Sequence, residues 1–314
     1  MQLSEEEVRG ISRGYDLGDV TLVEPIREGI VNHNFIFHTN QTRYVVQFLG
    51  KNLSEKRDLK MALTFETLDH LHNSGFKYKL PLPLRSLSGS KMSELEGKTF
   101  WIYEMLPGKS SSKMDSDMLK QFVQGLAIFH QKMSSFKKGN ITPNISLEER
   151  LCAYNEVPIE LENEVDVLWV ANLPFFREML IQSYNLFYGE TSIIHGDYHP
   201  GNVLFEENHL VGMIDFSSVK NDFRVVDLAI MVDRTPIPSS DFSQKQAIFL
   251  DEYNLVSPLA DEETELIIPA LIRENCLLFQ WFYNGKYKGQ SSKHRLLAEV
   301  VKKTYALARQ INWA

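Results

Sequence analysis

HGDYHPGNVLF, residues 195–205, sets two histidines, an aspartate and an asparagine close together before the chain turns apolar. Three chemistries use such groups. His195, Asp197 and His199 alternate, so in a strand they would share one face and could hold zinc in an open site. Pro200 and Gly201 interrupt that strand at once. A hydrolase would need an activated nucleophile, but the chain has no G-x-S-x-G elbow. Its cysteines, Cys152 and Cys276, sit in apolar surroundings. Phosphoryl transfer asks for something else. A carboxylate faces the acceptor hydroxyl, an asparagine shortly after it holds Mg²⁺, and a second aspartate returns on a hairpin. His195, Asp197 and Asn202 have the spacing H-x-D-x-x-x-x-N, and Asp215-Phe216 closes NVLFEENHLVGMIDF. Asp197 is then the catalytic carboxylate, and Asn202 and Asp215 are the metal ligands. Each has an ordinary alternative as a turn or capping residue; together they point to the site.

On either side of this stretch the chain changes character. VTLVEP, NFIFHT and RYVVQFL are short, aromatic and β-branched, with turn-prone segments between them, and predict an antiparallel sheet. LKMALTFETLDHLHNSG carries Met61, Phe65, Leu68 and Leu71 at helical spacing, with Gly75 as its C-terminal stop. Ser4 and Glu7 form a capping box ahead of a short N-terminal helix. KTFWIYEM adds a strand, and LPGKSSSK reads as a linker. Beyond it the pattern is mostly helical, apart from a short strand and hairpin over 193–216. The expectation is an α+β chain of two lobes: a β-rich lobe over 1–105 and a larger, mainly helical lobe over 106–314.

Apolar residues make up 43% of the 314 positions and charged residues 24%, with a net charge of −8. That balance gives no basic face for nucleic acid or an anionic membrane. No apolar run approaches the roughly 20 residues that span a bilayer. The N-terminus, MQLSEEEVRG, has no signal-peptide core, and two distant cysteines suit a reducing compartment. The expected setting is cytoplasmic, with a small molecule as partner.

With these motifs in order, the chain resembles the aminoglycoside phosphotransferase / choline kinase superfamily, whose members have a protein-kinase-like fold. The resemblance rests on HGDYHPGNVLF, GMIDF and VVDLAIMV, with GIVNHNFIFHT, FETLDHLHNSGFKYKLPLP, FWIYEMLPGK and GLAIFHQ in support. Within that superfamily, YDLGDV, REGIVNHNFIFHT, RYVVQF and RENCLLFQWFYN look most like the homoserine kinases.

The resemblance implies an enzyme that transfers the γ-phosphoryl group of ATP, with Mg²⁺, to the hydroxyl of a small metabolite. It places Gly29, Asn32 and Asn34 over the phosphates. Glu104 and Met105 would present backbone groups to adenine. His195 would brace the catalytic loop, and Asp227 would accept that loop's backbone amides. His199 would line the loop. Glu66 would be the helix carboxylate that ordinarily pairs with a strand lysine, yet Gln47 stands in the basic position and Lys51 lies too far along. An uncharged Gln47 is also the one feature that would suit a nucleotide-binding protein without turnover. Homoserine is the first acceptor, its carboxylate met by Arg224 or Arg273. Aminoglycosides or choline-like alcohols come next, and as cations they would call on DEYN, DEETE or the aromatics of FQWFY.

Overall fold

The computed structural model describes residues 2–26, 33–50, 57–137, 147–152, 164–236, 242–283 and 291–313. By contacts the chain forms two compact units, one of residues 1–125 with 200–219, the other of 126–199 with 220–314.

The first unit is built on a five-stranded antiparallel sheet. Its strands are β1 (Val20–Ile26), β2 (His33–Thr39), β3 (Arg43–Phe48), β4 (Ser93–Leu95) and β5 (Lys98–Glu104), in the order β1-β2-β3-β5-β4. Period-two alternation gives the sheet two different faces. Phe35, Phe37, Val46, Phe48, Phe100 and Ile102 turn to one side and pack with Ile11, Tyr15 and Leu17. Ile11 and Tyr15 belong to α1 (Glu5–Tyr15), which opens with the expected capping box of Ser4 and Glu7. The other face carries Asn34 opposite Gln47, Gln47 opposite Trp101, and Val45 opposite Tyr103. Against it lies α2 (Arg57–Asn73), with Phe65 edge-on to Trp101 at 5.5 Å. Met61, Phe65, Leu68 and Leu71 are all buried. The helix stops where the Phe76 amide donates to the Leu71 carbonyl and Gly75 takes φ +69°.

The hairpin β7 (Val203–Glu206) and β8 (His209–Met213) packs within this same unit. Lys79 exchanges backbone bonds with Val211 and Met213 (2.8 and 3.0 Å), and Lys109 exchanges two with Phe205 (2.9 Å each). Gln121, on α3 (Ser116–Met133), accepts from the Leu210 amide and donates to the Asn208 carbonyl. Gly108, with φ +89°, lies so close to the hairpin that a Cβ there would stand 2.8 Å from the Phe205 carbonyl oxygen and 2.9 Å from Val211.

The second unit is mainly helical. It comprises α4 (Leu147–Cys152), α5 (Glu164–Leu186), α6 (Arg224–Arg234), α7 (Phe242–Asn254), α8 (Asp261–Glu265), α9 (Ile267–Tyr283) and α10 (Ser291–Gln310). A two-stranded ladder joins β6 (Ser192–Ile194) to β9 (Lys220–Asp222). Its core is dominated by stacked aromatics: Phe176 on Phe279 at 3.8 Å, and Trp169 parallel to Phe279. Helix α6 is apolar nearly all round, with Val225, Val226, Leu228, Ala229, Ile230, Met231 and Val232 buried, as suits a helix enclosed on every side. Among the described residues no helix is long and apolar enough to cross a membrane.

Two glycine substitutions separate backbone strain from crowding. Gly75→Ala meets no atom within 4 Å and should cost about 1 kcal/mol through its positive φ alone. Gly108→Ala adds a backbone clash to the same strain and should lower the thermal midpoint distinctly further. Equal midpoints for the two variants would contradict this packing.

Candidate active site

Asp227 is fully buried on α6. A carboxylate removed from water is tolerated only when donors surround it. Its Oδ2 accepts from the His195 amide at 2.7 Å, and its Oδ1 from the Gly196 amide at 2.7 Å. His130 Nε2 lies 3.1 Å from Oδ2, while its Nδ1 is 2.7 Å from the Tyr253 hydroxyl. Burial pushes the Tyr253 phenol well above its usual range. Two consecutive amides on one carboxylate impose a tight turn, and Gly196 makes it with φ +76°. The His195 ring is buried edge-on to Phe129 and Tyr198. Among the described residues no three His, Cys, Asp or Glu side chains gather to hold a metal ion, so the zinc alternative for His195, Asp197 and His199 finds no cage.

The turn delivers Asp197, whose side chain is 24% exposed. Its Oδ1 accepts from Arg234 Nη1 of α6, and its Oδ2 lies 3.7 Å from His199 Nε2. Burial by itself would raise this carboxyl, but the pull of His199 and the charge of Arg234 outweigh it and hold the group well below the ordinary carboxylate range. Asp197 is therefore ionised at any working pH. It is a weak base, suited to orienting a hydroxyl and taking its proton late in the reaction.

Arg234 was not singled out from sequence. The arginines that were are committed elsewhere. Arg224 grips Glu263 through two nitrogens (2.8 and 2.6 Å) and donates to Ser257 and Pro258. Arg273 is buried against Asp222 at 2.7 Å, its guanidinium 4.5 Å from the centre of the Phe187 ring. Of the features considered for a cationic acceptor, Glu263 of DEETE is held by Arg224, and Phe279 of FQWFY is a core residue.

In the first unit, the hairpin brings Asn202 and Asp215 to its two ends. Val203 pairs with Met213, and the Ile214 amide donates to the Asn202 carbonyl at 2.9 Å. Asn202 is buried. Asp215 adopts the left-handed conformation (φ 58°, ψ 64°), which costs a non-glycine residue about 1–3 kcal/mol and is kept only where surroundings enforce it. Its Oδ1 accepts from the Ser217 hydroxyl at 2.6 Å and the Ser217 amide at 3.4 Å. Thr64 of α2 donates to the next carbonyl, that of Phe216, at 3.2 Å. Burial and the Asp215 charge together push the Tyr103 phenol well above its usual range. The amide and carboxylate oxygens of Asn202 and Asp215 are the donors that a hard divalent cation prefers.

Asn34 and Gln47 stand side by side on the sheet face that α2 covers. The buried Asn34 Oδ1 has no hydrogen-bond partner among the described residues, so this position fits a polar group that the described chain does not supply. Gly29 and Asn32 lie outside the described residues, as does Lys51. Glu66 is exposed on α2, whose buried positions are Thr64, Phe65, Thr67 and Leu68. Among the described residues no hydrogen bond joins it to Gln47. The Met105 amide donates to the Arg43 carbonyl at 2.8 Å, continuing the β3–β5 ladder. Alternate residues of an antiparallel strand face opposite edges. The Glu104 carbonyl therefore points off that ladder, while the Glu104 carboxylate accepts from Thr42 at 3.1 Å.

A model of the phosphotransferase enzyme family matches residues 22–255. A homoserine kinase of Sinorhizobium medicae (strain WSM419) is 27% identical over 288 residues, 88% of this chain and 83% of that protein. One of Chelativorans sp. (strain BNC1) is 28% identical over 293 residues, 88% and 84% of the two chains. Among solved structures, an amicoumacin kinase in complex with AMP-PNP, Ca²⁺ and Ami superposes with a TM-score of 0.76 at 15% identity, covering 96% of this chain and 93% of that one. A microcompartment-associated aminopropanol kinase gives 0.73 at 13% identity over 96% and 97%. The fold is protein-kinase-like.

Replacing Asp227 by asparagine leaves one oxygen where two amides need acceptors. The variant should lose roughly 1–3 kcal/mol per unsatisfied group in denaturant titration. Full retention of stability would show that the carboxylate does not hold the turn.

Proposed function

The chain belongs to the phosphotransferase enzyme family, and from that premise we propose that it is an ATP-dependent, Mg²⁺-requiring kinase of a small amino-acid alcohol, homoserine being the first candidate. The turn clamped by Asp227, ending in an ionised Asp197 with Arg234 beside it, is the observation that carries the reading. The homoserine kinases matched along 88% of the chain support the acceptor.

Each residue then has a defined task. Asp197 orients the acceptor hydroxyl and takes its proton as the oxygen attacks the γ-phosphorus. The bond from that phosphorus to the β–γ bridging oxygen breaks, and ADP leaves. Asn202 and Asp215 would hold Mg²⁺, which would supply neutralisation of phosphate charge. Asn34 and Gln47, with Gly29 and Asn32, serve the nucleotide's phosphates. Backbone groups at Glu104 and Met105 serve adenine, the Glu104 carbonyl being the one that points off the ladder. Glu66, exposed, has no task in this scheme. Catalysis is mostly positioning and charge neutralisation. Functionally, residues 1–105 handle nucleotide and 106–314 carry catalysis and acceptor binding; this division differs from the packing one, in which the hairpin belongs with the N-terminal half. We place the enzyme in the cytoplasm, acting on a free metabolite without nucleic acid or membrane.

With Mg-ATP and L-homoserine the protein should release ADP. Asp197→Asn should lower kcat by about 10²–10⁴-fold while still binding ATP, measured by calorimetry. Wild-type ATP binding without turnover on homoserine or any other small alcohol would favour the silent binder that Gln47 suggests.

A further inference from the structure

The end of α6 is fixed from three sides. Asp233 pairs with Lys303 of α10. Thr235 is buried and donates to the Met231 carbonyl at 2.6 Å, and its own carbonyl accepts from Lys245 at 3.0 Å. Arg234 stands between these anchored neighbours with a side chain 43% exposed. Asp197 is the one described residue to which it is hydrogen-bonded, through Nη1.

We propose that Arg234 is the receptor for the acceptor's carboxylate and so selects amino-acid alcohols over cationic ones; this deepens the reading of a homoserine-class kinase and rests on it. A guanidinium presents five donors in a rigid planar fork, enough to engage Asp197 on one side and a second carboxylate on another. An acceptor gripped this way is tethered beside the group that receives its proton, and bidentate Arg–carboxylate geometry fixes its direction as well as its place. Next to one negative and one positive charge, a zwitterion finds a partner for its carboxylate. A polycationic antibiotic or a quaternary amine would meet the same guanidinium as a like charge. Arg224 is gripped by Glu263 through two nitrogens and Arg273 is buried against Asp222, whereas Arg234, although it pairs with Asp197 through Nη1, keeps its side chain 43% exposed. The arginine's backbone does not have to be ordered on binding, since its helix end is already pinned.

The test compares L-homoserine with 3-aminopropan-1-ol, the same alcohol without the carboxylate, for the full chain with Mg-ATP. Arg234→Gln should raise KM for homoserine roughly 10–100-fold, the worth of a charged hydrogen-bonded contact, while the change in kcat that follows from losing its bond to Asp197 is shared by both acceptors. Its kcat/KM for homoserine should fall much more than for aminopropanol. Arg234→Lys, which keeps the charge and loses the fork, should recover part of the loss. Parallel losses on both acceptors, or an unchanged KM for homoserine in a folded Arg234→Gln protein, would overturn the inference while leaving the kinase reading intact. Absence of wild-type turnover on homoserine would overturn that reading and this inference with it.

Discussion

One buried carboxylate organises the turn that carries Asp197. Asp227 sits inside an apolar helix, where an ionised group with no donors would cost several kcal/mol. It is satisfied by the amides of His195 and Gly196 and by the His130 imidazole. That requirement sets the rest. Two adjacent amides can reach one carboxylate only if the chain turns sharply, so position 196 is a glycine at positive φ. The turn then places Asp197, and the helix that holds the turn also ends in the arginine that contacts it. Loop and arginine are referred to one rigid element, so their relative position varies little.

The metal-ligand candidates rest on a different device. Asn202 and Asp215 flank the two strands of a hairpin, with the Ile214 amide bonded to the Asn202 carbonyl, and the hairpin's edges are tied by backbone bonds to Lys79 and Lys109. Asp215 is held in a conformation that an isolated aspartate would avoid, secured by Ser217 and by the bond from Thr64 to the following carbonyl. Strain kept at one residue and supported by a neighbouring helix is a common mark of a working position. The covered face of the sheet, with Asn34 and Gln47, belongs to the same unit, so the proposed metal ligands and nucleotide contacts share one packing core.

Features that depend on neighbours in sequence could be read from the sequence. Strands β1, β2, β3 and β5 of the N-terminal sheet, the helix ending at Gly75, the capping box and the hairpin after Asn202 follow from periodicity and turn chemistry, whereas β4, three residues long, has no such signal. The spacing of His195, Asp197, Asn202 and Asp215 is likewise a local signal. What escaped depends on which way a side chain turns. Arg224, Arg234 and Arg273 look alike in the sequence, and only packing separates two structural ion pairs from one beside Asp197. Glu66 occupies an exposed position on α2, one residue from the buried Phe65 and Thr67. The bond from the Met105 amide to the Arg43 carbonyl likewise depends on strand register, which the sequence does not show. Gly29 and Asn32 fall outside the described residues.

The most direct measurement is ³¹P nuclear magnetic resonance of the protein with Mg-ATP and L-homoserine. The γ-phosphoryl signal should be replaced by that of a phosphomonoester, with ADP formed in equal amount. An unchanged ATP spectrum, or conversion of the γ-phosphoryl group to inorganic phosphate alone, would contradict the kinase reading.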